Sequence, residues 1–313
     1  MDSITLKKLI KVVLLTVVIS YAVDKLVFFG LNAISDKAMT GQAIGKLNHF
    51  LSIKDSTDIL VFGNSRANHH IDIDFLGENG YNMGVDATGI AYSSTLINTL
   101  SKDKKQHIIV HLDTKNFFDS TYAGEDIRGL KTKFNRDESI TEALNNSGQI
   151  SVMQHFYNCM NYNGKSIGIL KNFFKPNYDY KSYNGYDPLV ISESKAAARD
   201  AVLAREDAIN CLDNYEINEV ALDYLKSIKA YAEKSEKSFV FITSPTHKDP
   251  CSGDNEKLKA TMKALGLIYK DYSNLYDDLD DNSYWNDKTH LSKKGAEAFS
   301  KYIIGDLRYT NFN

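Results

Sequence analysis

The chain has 313 residues, 43% hydrophobic and 25% charged, which is the composition of an ordinary globular protein with one large domain or two small ones. A formal net charge of -3 with no basic tract argues against a nucleic-acid partner. The three cysteines, Cys159, Cys211 and Cys251, have neither CxxC nor zinc-finger spacing, so neither a disulfide framework nor a cysteine metal site is expected, and packing is their anticipated role.

The first element is apolar. Lys7, Lys8 and Lys11 precede an uninterrupted apolar run from Val12 to Val23, and Asp24-Lys25 break it before Leu26-Val27-Phe28-Phe29 resumes it. A bilayer span needs roughly 20 apolar residues. Charges near the end of a span are tolerated because their side chains reach the interface. Residues 1–35 are therefore read as a single-pass membrane anchor. The alternatives are a cleaved signal peptide, although no small-x-small site follows, and a soluble amphipathic helix. Lysines before the span place its N-terminus in the cytoplasm and the remainder of the chain outside.

A connecting helix is expected within 36–54. Strand and helix signals then alternate across 55–310, with an irregular, turn-rich insertion at about 117–215. Strands are expected at 58–62, 81–85, 107–113, 238–245 and 267–273. Helices are expected at 88–102, from 192 towards 212, at 218–235 (Val220, Leu225, Ile228 and Tyr231 or Ala232 inward), at 255–266 and at 291–307, the last capped by Ser292. Such alternation predicts an α/β fold of the doubly wound, flavodoxin-like kind, a mainly parallel sheet with helices on both faces. Ligands bind beyond the carboxyl ends of such strands. Ser65, Gly84, the Asp113–Asn116 loop and the Thr246–His247 loop all follow strand ends and should share one edge.

Two stretches carry chemistry. Gly63-Asn64-Ser65-Arg66 stops the first strand abruptly, and by itself such a turn is common punctuation. Asp287-x-x-His290 precedes the last helix. An aspartate at that spacing can fix a histidine's tautomer and leave its other ring nitrogen free as a base. A lone DxxH is weak, but a post-strand GxS at the start and Asp-His at the end of one α/β domain is a much more specific order.

With these blocks the chain resembles the SGNH/GDSL hydrolase superfamily over roughly residues 55–307. Gly63-Asn64-Ser65 stands where that family has Gly-Asp-Ser, Asn82-Met83-Gly84 stands for its glycine block, and Asp287-Lys288-Thr289-His290 stands for its last block. The resemblance implies Ser65 as nucleophile, His290 as base and Asp287 as its orienting acid, with the backbone amides of Ser65 and Gly84 in the oxyanion hole. The family's third block, Gly-x-Asn-Asp, is missing after "HIIVHLD". Asn116 is the nearest substitute for its oxyanion-hole asparagine, the alternative being a plain loop residue.

Other polar residues have plainer explanations. His69-His70 with His111 and Asp113 match no metal motif, and no metal or other cofactor is expected. His247 is a less favoured base for want of a partner acid, and Arg66 is expected in a salt bridge rather than on an anionic substrate. The aromatic segment 173–186 is either a sugar-stacking surface or a self-packed loop. The resemblance, strongest to membrane-anchored proteins that acylate alginate or teichoic acid, implies a serine-dependent esterase or O-acyltransferase acting on acyl esters, acetyl first among them, of a cell-envelope or exported polysaccharide. Its partners would be an acylated or acceptor carbohydrate, the membrane through the N-terminal helix, and a polytopic membrane acyltransferase. The alternative is a non-catalytic scaffold that binds glycan or such an acyltransferase.

Overall fold

The computed structural model describes residues 3–77, 79–205, 211, 214–251 and 253–308. In chain order the elements are α1 (Ser3–Ser35), α2 (Lys46–Ile53), β1 (Ile59–Phe62), α3 (Ser65–His70), β2 (Gly80–Asn82), α4 (Ile90–Ile97), β3 (Gln106–His111), α5 (Thr114–Phe118), α6 (Glu138–Asn146), α7 (Val152–Phe156), α8 (Ser166–Phe174), α9 (Glu193–Leu203), α10 (Glu219–Ala232), β4 (Lys237–Thr243), α11 (Gly253–Ala264), β5 (Tyr269–Asp271) and α12 (Lys293–Arg308). They form two units, residues 1–49 with 130–180, and residues 50–129 with 181–313. The expected insertion is thus divided, its 130–180 stretch grouping with the N-terminal helix.

The second unit is built on a five-stranded, all-parallel sheet of order β2-β1-β3-β4-β5. This is the doubly wound 2-1-3-4-5 order, whose switch point lies between β1 and β3. Apolar residues fill both faces of the central strands, as expected for strands sandwiched between helices. Val61, Ile109, Val240 and Ile242 share a core with Ala67 of α3, with Ile71 just after it, and with Ala296, Phe299, Ile303 and Leu307 of α12. On the other face Tyr231 of α10 meets Phe239, and Ser94 of α4 donates to the Tyr224 carbonyl (3.3 Å). Every residue of α4 is buried, rather than one face of it. On α10 the buried set is Ala221, Leu225, Ile228 and Tyr231, while Val220 points outward, one position away from expectation. Ser292 caps α12 by accepting the Gly295 N–H (3.3 Å). The helix expected to run towards 212 ends at Leu203, and its continuation over 206–210 lies outside the described residues.

One expectation is overturned. Cys211 and Cys251 are joined by a disulfide, with Cα atoms 5.4 Å apart. Their 40-residue separation resembles no short motif, which is why spacing alone could not pair them. Cys159 is free.

The first unit is helical. α1 is long and apolar enough to cross a membrane. Its residues from Leu6 to Val23 are largely exposed, whereas Asp24 is buried. The Asp24 carboxylate accepts the backbone N–H groups of Asn158 and Cys159 (both 2.9 Å). Farther along, Arg136 pairs with Asp36, and Tyr162 packs edge-on against Phe28.

Candidate active site

β1 ends at Phe62, and the chain turns at Gly63 with φ 148°. A Cβ there would lie 2.8 Å from the Cβ atoms of both Ala67 and His111, so only glycine fits. Asn64 caps α3. Its Oδ1 accepts the Arg66 N–H (2.9 Å), and its Nδ2 donates to Asp113 Oδ2 (2.6 Å). Ser65 is therefore the first residue of the helix, where backbone N–H groups have no intrahelical acceptor.

His290 sits on a small hairpin facing Ser65. Trp285 and Leu291 pair as an antiparallel bridge, the Asn286 N–H donates to the His290 carbonyl (2.8 Å), and the Ser292 N–H donates to the Tyr284 carbonyl (2.9 Å). Trp285, 1% exposed, anchors the hairpin in the core. Asp287 closes the turn by accepting the N–H groups of Thr289 and His290 (both 2.9 Å). His290 Nδ1 lies 3.0 Å from Asp287 Oδ2, and Nε2 lies 2.9 Å from Ser65 Oγ. Partial burial acts to raise the Asp287 pKa, but hydrogen bonds from His290, the Thr289 amide and Asn286 outweigh it and hold this carboxyl well below its usual range. An ionised Asp287 accepts Nδ1–H, which leaves the Nε2 lone pair facing the serine. Residues 225 positions apart thus form a serine–histidine–aspartate relay.

The groups expected to donate to an oxyanion are placed less uniformly. The Gly84 N–H donates to Asn82 Oδ1 (2.8 Å), so in this arrangement it serves the turn. Asn82, fully buried, also donates to the carbonyls of Ala67 and Ile71 (both 2.8 Å) and ties β2 to the end of α3. Gly84 is needed for close approach, since a Cβ there would fall 2.5 Å from the Asn68 nitrogen. Asn116 lines a cleft of about 10 Å³ with Gly63, Asn64, Gly89 and Asp113, beside the turn that precedes Ser65; Ser65 itself does not line this cleft.

The remaining polar residues support the relay. Leu291 N–H donates to His70 Nε2 (3.0 Å), and His70 Nδ1 faces Ser244 Oγ (2.7 Å), which also meets His111 Nε2 (2.9 Å). Burial, with Arg66 nearby, pushes both histidines well below their normal pKa, so they are neutral links between β3, β4 and the hairpin. His69 lies with its ring centroid 5.8 Å from that of His290, its Nδ1 2.6 Å from the Asp187 carbonyl and its Nε2 3.2 Å from Asp86. Burial opposes its charge, but Asp86 and that carbonyl prevail and raise its pKa. The sequence offered no signal for these roles, because all of them depend on long-range contacts. Among the described residues His69, His70, His111 and Asp113 do not converge as a metal-binding group.

One expectation changes, that for Arg66. Arg66 makes no ion pair among the described residues; buried, it donates to the carbonyls of Ser244 and Pro245 and to Thr246 Oγ1 (2.7 Å), clamping the loop after β4. His247 packs edge-on against Trp285 at 5.2 Å, with no hydrogen bond to Ser65. Within the aromatic segment, Tyr178 accepts the Gly41 N–H, and Tyr183 donates to Asp187 (2.7 Å). Those two tyrosines thus hold hydrogen bonds within the chain.

No family model matches the chain, and no curated protein matches it. Among solved structures it is similar to one from Streptococcus pneumonia named "putative platelet activating factor", at 12% identity over 92% of this chain and 99% of that one. The TM-score of 0.37 is too low to establish a shared fold.

Proposed function

We propose that this chain is a membrane-anchored serine esterase or O-acyltransferase of the SGNH type, acting on acyl esters, most simply acetyl, of a cell-envelope or exported polysaccharide. The observation that carries the proposal is the continuous contact Ser65–His290–Asp287, with 2.9 and 3.0 Å links. The strand order and the placement of Ser65 beyond β1 agree with it. The Cys211–Cys251 disulfide supports an oxidising, outward-facing location.

In this mechanism Ser65 Oγ attacks the acyl carbonyl carbon while its proton moves to His290 Nε2. Asp287 holds the imidazolium that forms. The Ser65 N–H and the Asn116 side chain are the proposed oxyanion donors. The tetrahedral intermediate collapses, the alkoxide leaves with the proton from His290, and the acyl group remains on Ser65. Water or a sugar hydroxyl, deprotonated by His290, then takes the acyl group, and the serine is restored.

A fluorophosphonate probe tests the activation of Ser65, and a screen of aryl esters, acetylated sugars and acetyl-CoA, with mass spectrometry of the acceptor, separates hydrolysis from transfer. Labelling confined to Ser65 is expected. The engagement of the Gly84 amide by Asn82 favours a second reading, a glycan- or acyltransferase-binding scaffold. A folded protein that resists labelling and turns over no ester supports that scaffold instead.

A further inference from the structure

Within residues 151–162 of the helical unit four apolar side chains are exposed while two polar ones, Gln154 and Asn161, are buried. Val152, Met153, Phe156 and Met160 are 74, 52, 57 and 44% exposed. Beneath them Gln154 is buried, donating to Asn161 Oδ1 (3.1 Å) and completing a capping box with Ser151. The segment is therefore held in one orientation by its polar face, and that orientation turns its apolar face outward. In water this is the reverse of what burial favours.

The position of the segment along α1 identifies what covers it. Tyr157 OH lies 3.0 Å from Ser20 Oγ, and its ring meets Tyr21 edge-on. The next two amides close on Asp24, and Lys25 bonds to the Asn158 side chain. Residues 3–23 of α1 rise about 30 Å at 1.5 Å per residue, the thickness of a hydrocarbon core. Residues 156–160 accordingly sit where the span ends, at the depth at which tyrosines gather and apolar side chains reach the acyl chains. Past Asp24, Leu26 and Phe29 of α1 remain 74 and 76% exposed, so the apolar surface continues around the junction. The two amides that satisfy Asp24 also remove the cost of a bare carboxylate at that depth.

We propose that Val152–Met160 is a second membrane contact, seated in the lipid interface beside the exit of α1, with Val152, Met153, Phe156 and Met160 at the boundary between headgroups and acyl chains. The occupant of this surface is the bilayer itself. The unit is thereby seated on the membrane as well as tethered to it. This inference rests on the anchor assignment of α1.

Tryptophan quenching tests it on the full-length protein in vesicles of phosphatidylethanolamine and phosphatidylglycerol, with and without a phospholipid brominated near the glycerol end of its acyl chains. The single native tryptophan, Trp285, is buried and gives the baseline in wild type. Phe156→Trp should lose most of its added emission in brominated vesicles, as expected for a side chain about 5–10 Å into the interface. Val152→Trp repeats the measurement at a more exposed site. Val17→Trp, within α1, reports the span itself, using lipid brominated deep in the chain. If Val17→Trp is quenched while Phe156→Trp and Val152→Trp keep their emission, the second contact is wrong and the anchor stands. Loss of quenching at all three positions overturns the anchor and the contact together.

Discussion

The two units differ in how much apolar surface they leave outside their cores. The sheet unit hides Val61, Ile109, Val240, Phe299 and Ile303 completely, and its polar side chains meet at the strand ends. The helical unit buries Ile44, Leu47, Ile140 and Leu144 too, but it leaves Val12 to Val18, Leu26, Phe29, Val152 and Ile167 outside and buries Asp24, Lys46, Asn48 and Gln154. The difference teaches that burial is not the fixed fate of an apolar residue; it depends on which solvent a surface is built for. Where water surrounds an α/β core, alternation and 3.6-residue periodicity reveal the elements. Where the surface is apolar, that periodicity no longer says which face is inside.

The comparison is broken most severely at the relay. Ser65→Ala should lower ester turnover by roughly 10⁴-fold or more, and His290→Ala by about as much, with the double mutant scarcely worse because the two residues act as one unit. The thermal midpoint should stay nearly unchanged. Single mutants that keep turnover within about tenfold of wild type, or losses that multiply, would return Ser65 to the role of a strand-end turn residue.

The next effect concerns the oxyanion. With the Gly84 amide engaged by Asn82, Asn116→Ala should cost roughly 10²-fold in kcat with little effect on KM or fold. A mutant that turns over normally leaves the Ser65 amide as the main donor and assigns Asn116 to the cleft wall.

Much of the site was legible in the sequence, because GxS and DxxH are local patterns and the alternation of elements brings their ends to one edge. Ser65, Asp287 and His290 could be singled out for that reason. Asn82 was visible only as part of a block; its bonds to Ala67, Ile71 and Gly84 come from the fold. The Arg66 clamp, the His70–Ser244–His111 chain and the Cys211–Cys251 pair join residues whose sequence separations run from 40 to 180 positions. No periodicity records such distances. The helical unit was the least legible, since the backbone amides that bond Asp24 come from residues more than 130 positions later.

The disulfide belongs to the sheet unit alone. Replacing Cys211 and Cys251 together by serine should lower the stability of that unit by about 2–4 kcal/mol, the usual value for closing a loop of this size. Denaturant melts followed through Trp285, which lies in that unit, read this directly. An unchanged midpoint under oxidising conditions would mean that the cross-link constrains a chain segment already ordered by other contacts.

The Asn64–Asp113 contact sharpens the site on a smaller scale. Asn64 stands where the resembled family has aspartate, and here its amide donates 2.6 Å to the carboxylate of Asp113. Asn64→Asp would set two carboxylates against each other and loosen the nucleophile turn. Pairing it with Asp113→Asn restores one donor and one acceptor. The double-mutant cycle should show a favourable coupling of about 0.5–3 kcal/mol in turnover. Simple additivity would mean that the two side chains are neighbours without consequence.

The smallest expected effect is a dependence on acid, and it separates an ionised Asp287 from a merely polar one. The folded protein holds this carboxyl below its ordinary value of 3.8, because the bonds from His290, Thr289 and Asn286 outweigh partial burial. A depressed carboxyl pKa means that the unfolded chain binds the proton more readily than the folded one. The stabilisation is therefore fully present above the unfolded value and is lost as pH falls through the folded one. Wild type should exceed Asp287→Asn in stability at neutral pH, and the gap should narrow steadily below about pH 4. Urea midpoints for both proteins across the acidic range supply the comparison. A gap that stays constant down to the acid limit would show that the folded and unfolded states bind this proton equally, and that Asp287 holds His290 by geometry alone.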